Sequence, residues 1–137
     1  MSTKYLLDTN VLSESRRKHA DVGVVSFLGQ TEPSLLMISV LTLGELRKGV
    51  VLKQKTDPDA ARRLEVWVDG LEISFTAQIL GIDASAARLW GEWSAQRPRP
   101  IVDTLLAATA FTHKLTLVTR NTADVADLPV EILNPWK

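Results

Sequence analysis

Short apolar runs alternate with longer stretches of helical periodicity along this chain. Lys4 to Leu7 reads as a buried strand, and Leu35-Leu36-Met37-Ile38 as a second. Leu115-Thr116-Leu117-Val118-Thr119 is the clearest strand, and Val130-Glu131-Ile132-Leu133 closes the series. Gln78 to Ile82 fits a short strand, with helix left open there. These runs are too short for helices, and they are bounded by turn and capping residues.

The intervening segments carry helix signals. A short helix is expected around Val11 to Arg16 and another from Asp21 to Gln30. Ser39 can cap a helix to about Lys53, because its hydroxyl accepts from a free backbone N–H. Leu43, Leu46 and Val50 then fall on its core side. Thr56-Asp57-Pro58-Asp59 combines a cap with a first-turn proline and starts a helix to about Leu71, with Leu64, Trp67, Val68 and Leu71 inward. Asp83 or Ser85 opens the next, through Trp90 to about Ala95. Arg97-Pro98-Arg99-Pro100 is a stiff, extended connector, because proline restricts its own φ and its predecessor. Thr104 to His113 follows as a helix, and Ala123 to Ala126 as a helical turn. Strands alternating with helices predict an α/β fold, a mainly parallel central sheet with helices on both faces.

The chain's 137 residues suit one domain, residues 1–137, with a proper core. Cysteine is absent, which excludes disulfides, thiolate metal sites and a cysteine nucleophile. The richest apolar stretch, Leu35 to Leu46, is interrupted by Ser39, Thr42, Gly44 and Glu45 and is too short to cross a bilayer. No signal-peptide pattern opens the chain, so a cytoplasmic protein without membrane contact is expected. Formal net charge is zero, so bulk charge does not mark a nucleic-acid binder. Basic residues are clustered locally, at Arg16-Arg17-Lys18, Arg47-Lys48, Lys53 with Lys55, Arg62-Arg63, and Arg97 with Arg99.

Four acids carry the chemistry. Asp8 ends the first strand, Glu45 lies in the second turn after the second strand, Asp103 opens a helix, and Asp124 follows the strand ending at Thr119. Helices in such folds run antiparallel to the strands, so all four converge on the sheet's carboxyl edge, where ligands bind. Singly, Asp8, Asp103 and Asp124 are explained as caps, each contributing about 1 kcal/mol. Glu45 lies beyond the capping positions on a partly apolar face. Gly44 before it costs a helix interior about 1 kcal/mol relative to alanine and predicts a close approach. Two carboxylates about 4 Å apart repel by roughly 4 kcal/mol at an effective dielectric near 20. A hard divalent cation relieves that repulsion, and an all-oxygen set suits magnesium, with manganese as substitute. His19 and His113 fall near helix ends, where surface roles are expected.

The chain resembles the PIN-domain ribonucleases of bacterial toxin–antitoxin pairs, in the branch of VapC and FitB-like toxins. The resemblance rests on Leu7-Asp8-Thr9-Asn10-Val11-Leu12-Ser13-Glu14, Gly44-Glu45-Leu46-Arg47-Lys48-Gly49 and Val102-Asp103-Thr104-Leu105-Leu106-Ala107-Ala108-Thr109-Ala110. Leu117-Val118-Thr119-Arg120-Asn121-Thr122-Ala123-Asp124 and Leu133-Asn134-Pro135-Trp136 complete it. It implies a PIN-like three-layer α/β/α sandwich and a magnesium site at Asp8, Glu45, Asp103 and Asp124. Asn10 and Thr119 would orient those carboxylates, and Arg120 and Asn121 would contact phosphate or shape the pocket. It further implies an RNA substrate, a homodimer, and a small antitoxin that occludes the site and binds operator DNA. Val125 departs from the pattern, which usually has an aromatic there. Haloacid-dehalogenase-like phosphatases also begin with a strand ending in Asp, but Asn10 stands where they need their general acid. The remaining alternative is a non-catalytic module that binds its antitoxin and reaches operator DNA through it, with Trp90 or Trp93 exposed for the partner.

Overall fold

Every strand pair is parallel, as the alternation of strands and helices predicts. The computed structural model describes residues 2–137. Five strands, β1 (Tyr5–Leu7), β2 (Leu36–Ser39), β3 (Ile79–Leu80), β4 (Thr116–Val118) and β5 (Ile132–Leu133), lie in the order β3-β2-β1-β4-β5. Leu6 of the central strand stands opposite Met37 on one side and Leu117 on the other. Six helices join them: α1 (Thr9–Ser15), α2 (Val22–Gln30), α3 (Val40–Gln54), α4 (Pro58–Ser74), α5 (Ala84–Gln96) and α6 (Ile101–Thr112).

Strand side chains alternate between faces, and that alternation splits the core in two. Leu6 and Leu117 face one layer, with Ala86 and Trp93 of α5 and Ala107, Ala108 and Ala110 of α6. Leu7 and Val118 face the other, with Val11, Val24, Leu46 and Val68 of α1 to α4. Helices cover both faces of the sheet, so the molecule is the expected three-layer α/β/α sandwich. The alanines let α6 lie close against the sheet. Trp93 is buried and packs edge-on to Phe111 at 5.9 Å, and Trp90 is half-buried, so both indoles serve the core. Among the described residues no helix is long and apolar enough to cross a membrane.

Capping residues set the helix starts much as the sequence indicates. Asp21, Ser39, Asp57 and Asp83 each accept from a first-turn amide of α2, α3, α4 and α5. Three boundaries move. Helix α1 begins at Thr9, because Asp8 itself is the cap. Helix α4 runs to Ser74, three residues past Leu71, on a last turn where Ile73 is 76% exposed and packing gives no cue. Helix α6 begins at Ile101, directly after Pro100, whose carbonyl accepts from Thr104 N. Asp103 is therefore inside the first turn and caps nothing. Within Gln78 to Ile82 the strand is the conformation formed, at Ile79–Leu80, while Gln78 ends a 3-10 turn that starts at Thr76.

Candidate active site

The strand order reverses between β1 and β4: from β1 the chain proceeds to β2 on one side, and β4 lies on the other. Such a reversal opens a crevice beyond the carboxyl ends of the strands. Asp8 leaves β1 at that point and Thr119 leaves β4, held together by the Asp8 N–H donating to the Val118 carbonyl at 2.9 Å.

Asp8 is only 5% exposed. Its Oδ1 accepts from the Thr9 amide at 2.7 Å, which caps α1, and its Oδ2 accepts from Thr119 Oγ1 at 2.7 Å. Thr119 is itself fixed, because its Oγ1 accepts from the Asn121 amide at 3.0 Å. Burial raises the Asp8 carboxyl above its ordinary value; the bonds from Thr119 and Thr9 oppose this, and the Glu45 charge adds to it. The cap explanation for Asp8 is thus correct but incomplete. One carboxylate caps a helix and faces a second carboxylate.

Glu45 comes from the second turn of α3. Its Oε1 accepts from Thr9 Oγ1 at 2.5 Å, and that hydroxyl also lies 3.2 Å from Oγ1 of the fully buried Thr42. The expected close approach to Gly44 does not come from within the fold. No heavy atom lies within 4 Å of where its Cβ would stand. Instead Gly44 borders an open groove of about 540 Å³ lined by Val40, Glu45, Lys48, Leu52 and Val102.

Asp103 projects from the first turn of α6 and Asp124 from a 3-10 turn at Thr122–Asp124. Burial pushes the Asp103 carboxyl up to about 6, with further contributions from the charges of Asp8, Asp124 and Glu45, in that order. The fold thus brings Asp8, Glu45 and Asp124 within electrostatic reach of Asp103, and Glu45 within reach of Asp8. Among the described residues no Lys, Arg or His pairs with any of them, and neither Asp103 nor Asp124 accepts a hydrogen bond. As oriented, no three acidic or histidine side chains among the described residues stand close enough to clasp one ion. Asp8 and Glu45 are turned onto threonine hydroxyls, while Asp103 and Asp124 have all their lone pairs free.

Asn10 bonds none of the four acids, and its Oδ1 is buried without a partner among the described residues. Arg120 lies over the Trp136 ring at 5.3 Å, and Asn121 contributes its backbone to Thr119. His113 Nε2 is 3.3 Å from Asp83 Oδ2, outside the site. Two orienting residues escaped the sequence reading, Thr9 and Thr42. Their signal was faint but present: Thr9 adjoins Asp8, and Thr42 lies three residues before Glu45 on one helix face. The basic clusters are largely committed elsewhere. Arg47 bridges to Asp69 and Glu72, Arg17 to Glu14, Arg97 and Arg99 to Asp127, and Arg16 covers Trp67.

Residues 5–128, which include all four acids, match the PIN domain. The chain belongs to the PIN-domain family. It is 33% identical to Toxin FitB of Neisseria gonorrhoeae over 96% of this chain and 97% of that protein. It is 37% identical to Ribonuclease VapC4 of Mycobacterium tuberculosis over 70% of this chain and 74% of that one. The solved structure of FitAB bound to an IR36 DNA fragment superposes with a TM-score of 0.81 at 29% identity, covering 97% of this chain and 96% of that chain. Val125, next to Asp124, is 1% exposed and belongs to the core layer formed with α5 and α6.

Proposed function

We propose that this PIN domain, taking residues 1–137 as one unit, is a magnesium-dependent endoribonuclease serving as the toxin of a toxin–antitoxin pair. The observation that carries the reading is the uncompensated quartet of Asp8, Glu45, Asp103 and Asp124 at the sheet's switch point, with Asp103 pushed up to about 6. Carboxylates arranged this way, with no cationic partner, fit a hard divalent cation by donor type and by charge. Asp8 and Glu45 are pre-set by Thr119 and Thr9, whereas Asp103 and Asp124 are free to close on the ion. A bound magnesium or manganese would supply a water of lowered pKa and positive charge for the phosphate oxygens. Around it, the chain's own groups orient the RNA: Lys48 beside Glu45 is placed for the backbone, and the open groove at Gly44 gives the strand room. Hydrolysis would join a water oxygen to phosphorus and break the bond to the ribose oxygen opposite it, the water's proton passing on to that leaving oxygen. The names of the relatives, a toxin and a ribonuclease, support this activity, and FitAB on DNA supports an antitoxin partner that reaches operator DNA. A cytoplasmic homodimer completes the reading.

The test is cleavage of RNA by purified protein. Magnesium or manganese should permit cutting, EDTA should stop it, and Asp8→Asn or Asp103→Asn should abolish it. Equal cutting by those variants would favour the non-catalytic, antitoxin-bound module.

A further inference from the structure

The Asp103 and Asp124 carboxylates accept no hydrogen bonds among the described residues, so their placement depends on the backbone that carries them. Asp124 lies on a 3-10 turn with no side-chain cap. Three residues later, Asp127 receives two guanidinium forks. Arg97 donates through Nε at 3.2 Å and Nη2 at 3.0 Å; Arg99 donates through Nη1 at 2.9 Å and Nη2 at 3.0 Å. Arg99 stands four residues before Asp103. Its side chain is 1% exposed, and its remaining donors reach the Trp93 carbonyl at 2.8 Å and Gln96 Oε1 at 2.9 Å. We propose that Asp127, gripped by Arg97 and Arg99, is a positioning residue that fixes the turn bearing Asp124 against the start of the helix bearing Asp103.

The local chemistry favours this over an incidental surface ion pair. Isolated exposed pairs contribute little, but a bidentate, charge-assisted fork on a buried arginine is specific in geometry as well as charge. Pro98 and Pro100 restrict the connector, and both the amide and the hydroxyl of Thr104 bond to the Pro100 carbonyl, at 3.1 and 2.6 Å. The connector and first turn of α6 therefore move together, with Arg99 as their handle. The grip also occupies Arg97. The Asp124 charge reaches Arg97, yet Arg97 donates to Asp127 and to the Pro98 carbonyl and makes no bond to Asp124. A spacing of four residues on one side and three on the other couples the clamp to both carboxylates without touching either. The opposing account is that buried Val125 and Leu128 hold the turn unaided.

This inference rests on the divalent-ion reading, and one titration separates the two. Manganese affinity is measured by water-proton relaxation at pH 7.5 for wild type, Asp127→Asn, the double variant Asp127→Asn with Arg99→Met, and Val130→Ala. The double variant removes the buried guanidinium with its partner, so folding is not penalised by an orphaned charge. Val130 packs on the same core layer as Val125 and Leu128 without bonding to Arg97, Arg99 or Asp127, and controls for general loosening of the segment. Thermal unfolding of each protein accompanies the titration. Both Asp127 variants should bind manganese about 10–100-fold more weakly, as for other residues that orient metal ligands, with Val130→Ala within about twofold of wild type. A double variant that binds within about twofold of wild type, or a Val130→Ala protein that weakens equally, overturns the clamp alone. Wild type that binds no manganese overturns the nuclease reading and the clamp with it.

Discussion

Replacing Asp103 by asparagine should make the ion-free protein more stable while ending its activity. The carboxyl rises from 3.8 to about 6 in the folded chain, first through burial and then through Asp8, Asp124 and Glu45. At full weight that rise corresponds to roughly 3 kcal/mol of folded-state penalty on ionisation. Asp103 is part-buried, so water and salt reduce the figure to about 1–2 kcal/mol. The sign follows from proton linkage. Below about pH 3 the acid is largely protonated whether folded or not, and wild type and variant should match. As pH rises towards 6 the unfolded chain ionises freely but the folded chain resists, so wild type loses stability relative to the variant. The gap is complete above about pH 6 and about one third as large at pH 4.5. For a chain of this length it corresponds to a gain in Tm of about 3–8 °C at pH 7.5. Circular dichroism melts in EDTA at pH 4.5 and 7.5 read it directly. Adding magnesium should then raise the wild-type Tm and leave the variant nearly unmoved. A variant no more stable at pH 7.5, or stabilised equally at both pH values, would refute the idea that burial, reinforced by the neighbouring carboxylates, makes the Asp103 charge costly in the folded chain.

Two further substitutions probe the frame around the quartet. Thr119→Val keeps the shape of a buried side chain but leaves Asp8 Oδ2 and the Asn121 amide without their partner. Denaturant unfolding should show a loss of about 1–3 kcal/mol, and initial cleavage rates should fall about 10–100-fold. Thr119→Ser should recover most of both, and a serine variant as impaired as valine would count against hydroxyl orientation of Asp8. Gly44→Ala meets no atom of the fold and should stabilise α3 by about 0.5–1 kcal/mol. If RNA lies along that groove, cleavage should drop even as Tm rises; unchanged cleavage would place the RNA elsewhere.

What the sequence reveals, and what it hides, divides along physical lines. Parallel topology, the two-layered core and the caps at Asp21, Ser39, Asp57 and Asp83 depend on local periodicity and on side chains that bond within three residues. Those signals are legible without coordinates. The convergence of Asp8, Glu45, Asp103 and Asp124 also follows from topology, because strand ends and helix starts share one edge. The start of α6 is less legible. Proline at the cap position lets the helix begin at once, which moves Asp103 from a cap to an interior carboxylate with no local partner. Thr9 and Thr42 could not be assigned to Glu45, because their bonds join residues more than thirty positions apart or depend on the packing of α1 against α3. The same holds for Asp127, which ties down two of the clustered basic residues, Arg97 and Arg99, from about thirty positions away.

The central claim is that four distant acids form one divalent-cation site, and anomalous diffraction from a crystal soaked in manganese tests it most directly. The account predicts a strong peak at the carboxyl end of β1 and β4, ligated by oxygens of Asp8 and Asp103 with Glu45 and Asp124 in attendance. Asp103 and Asp124 should be swung inward relative to their ion-free positions. No peak there at saturating manganese, or a peak only at surface acids such as Asp69 and Glu72, would contradict it.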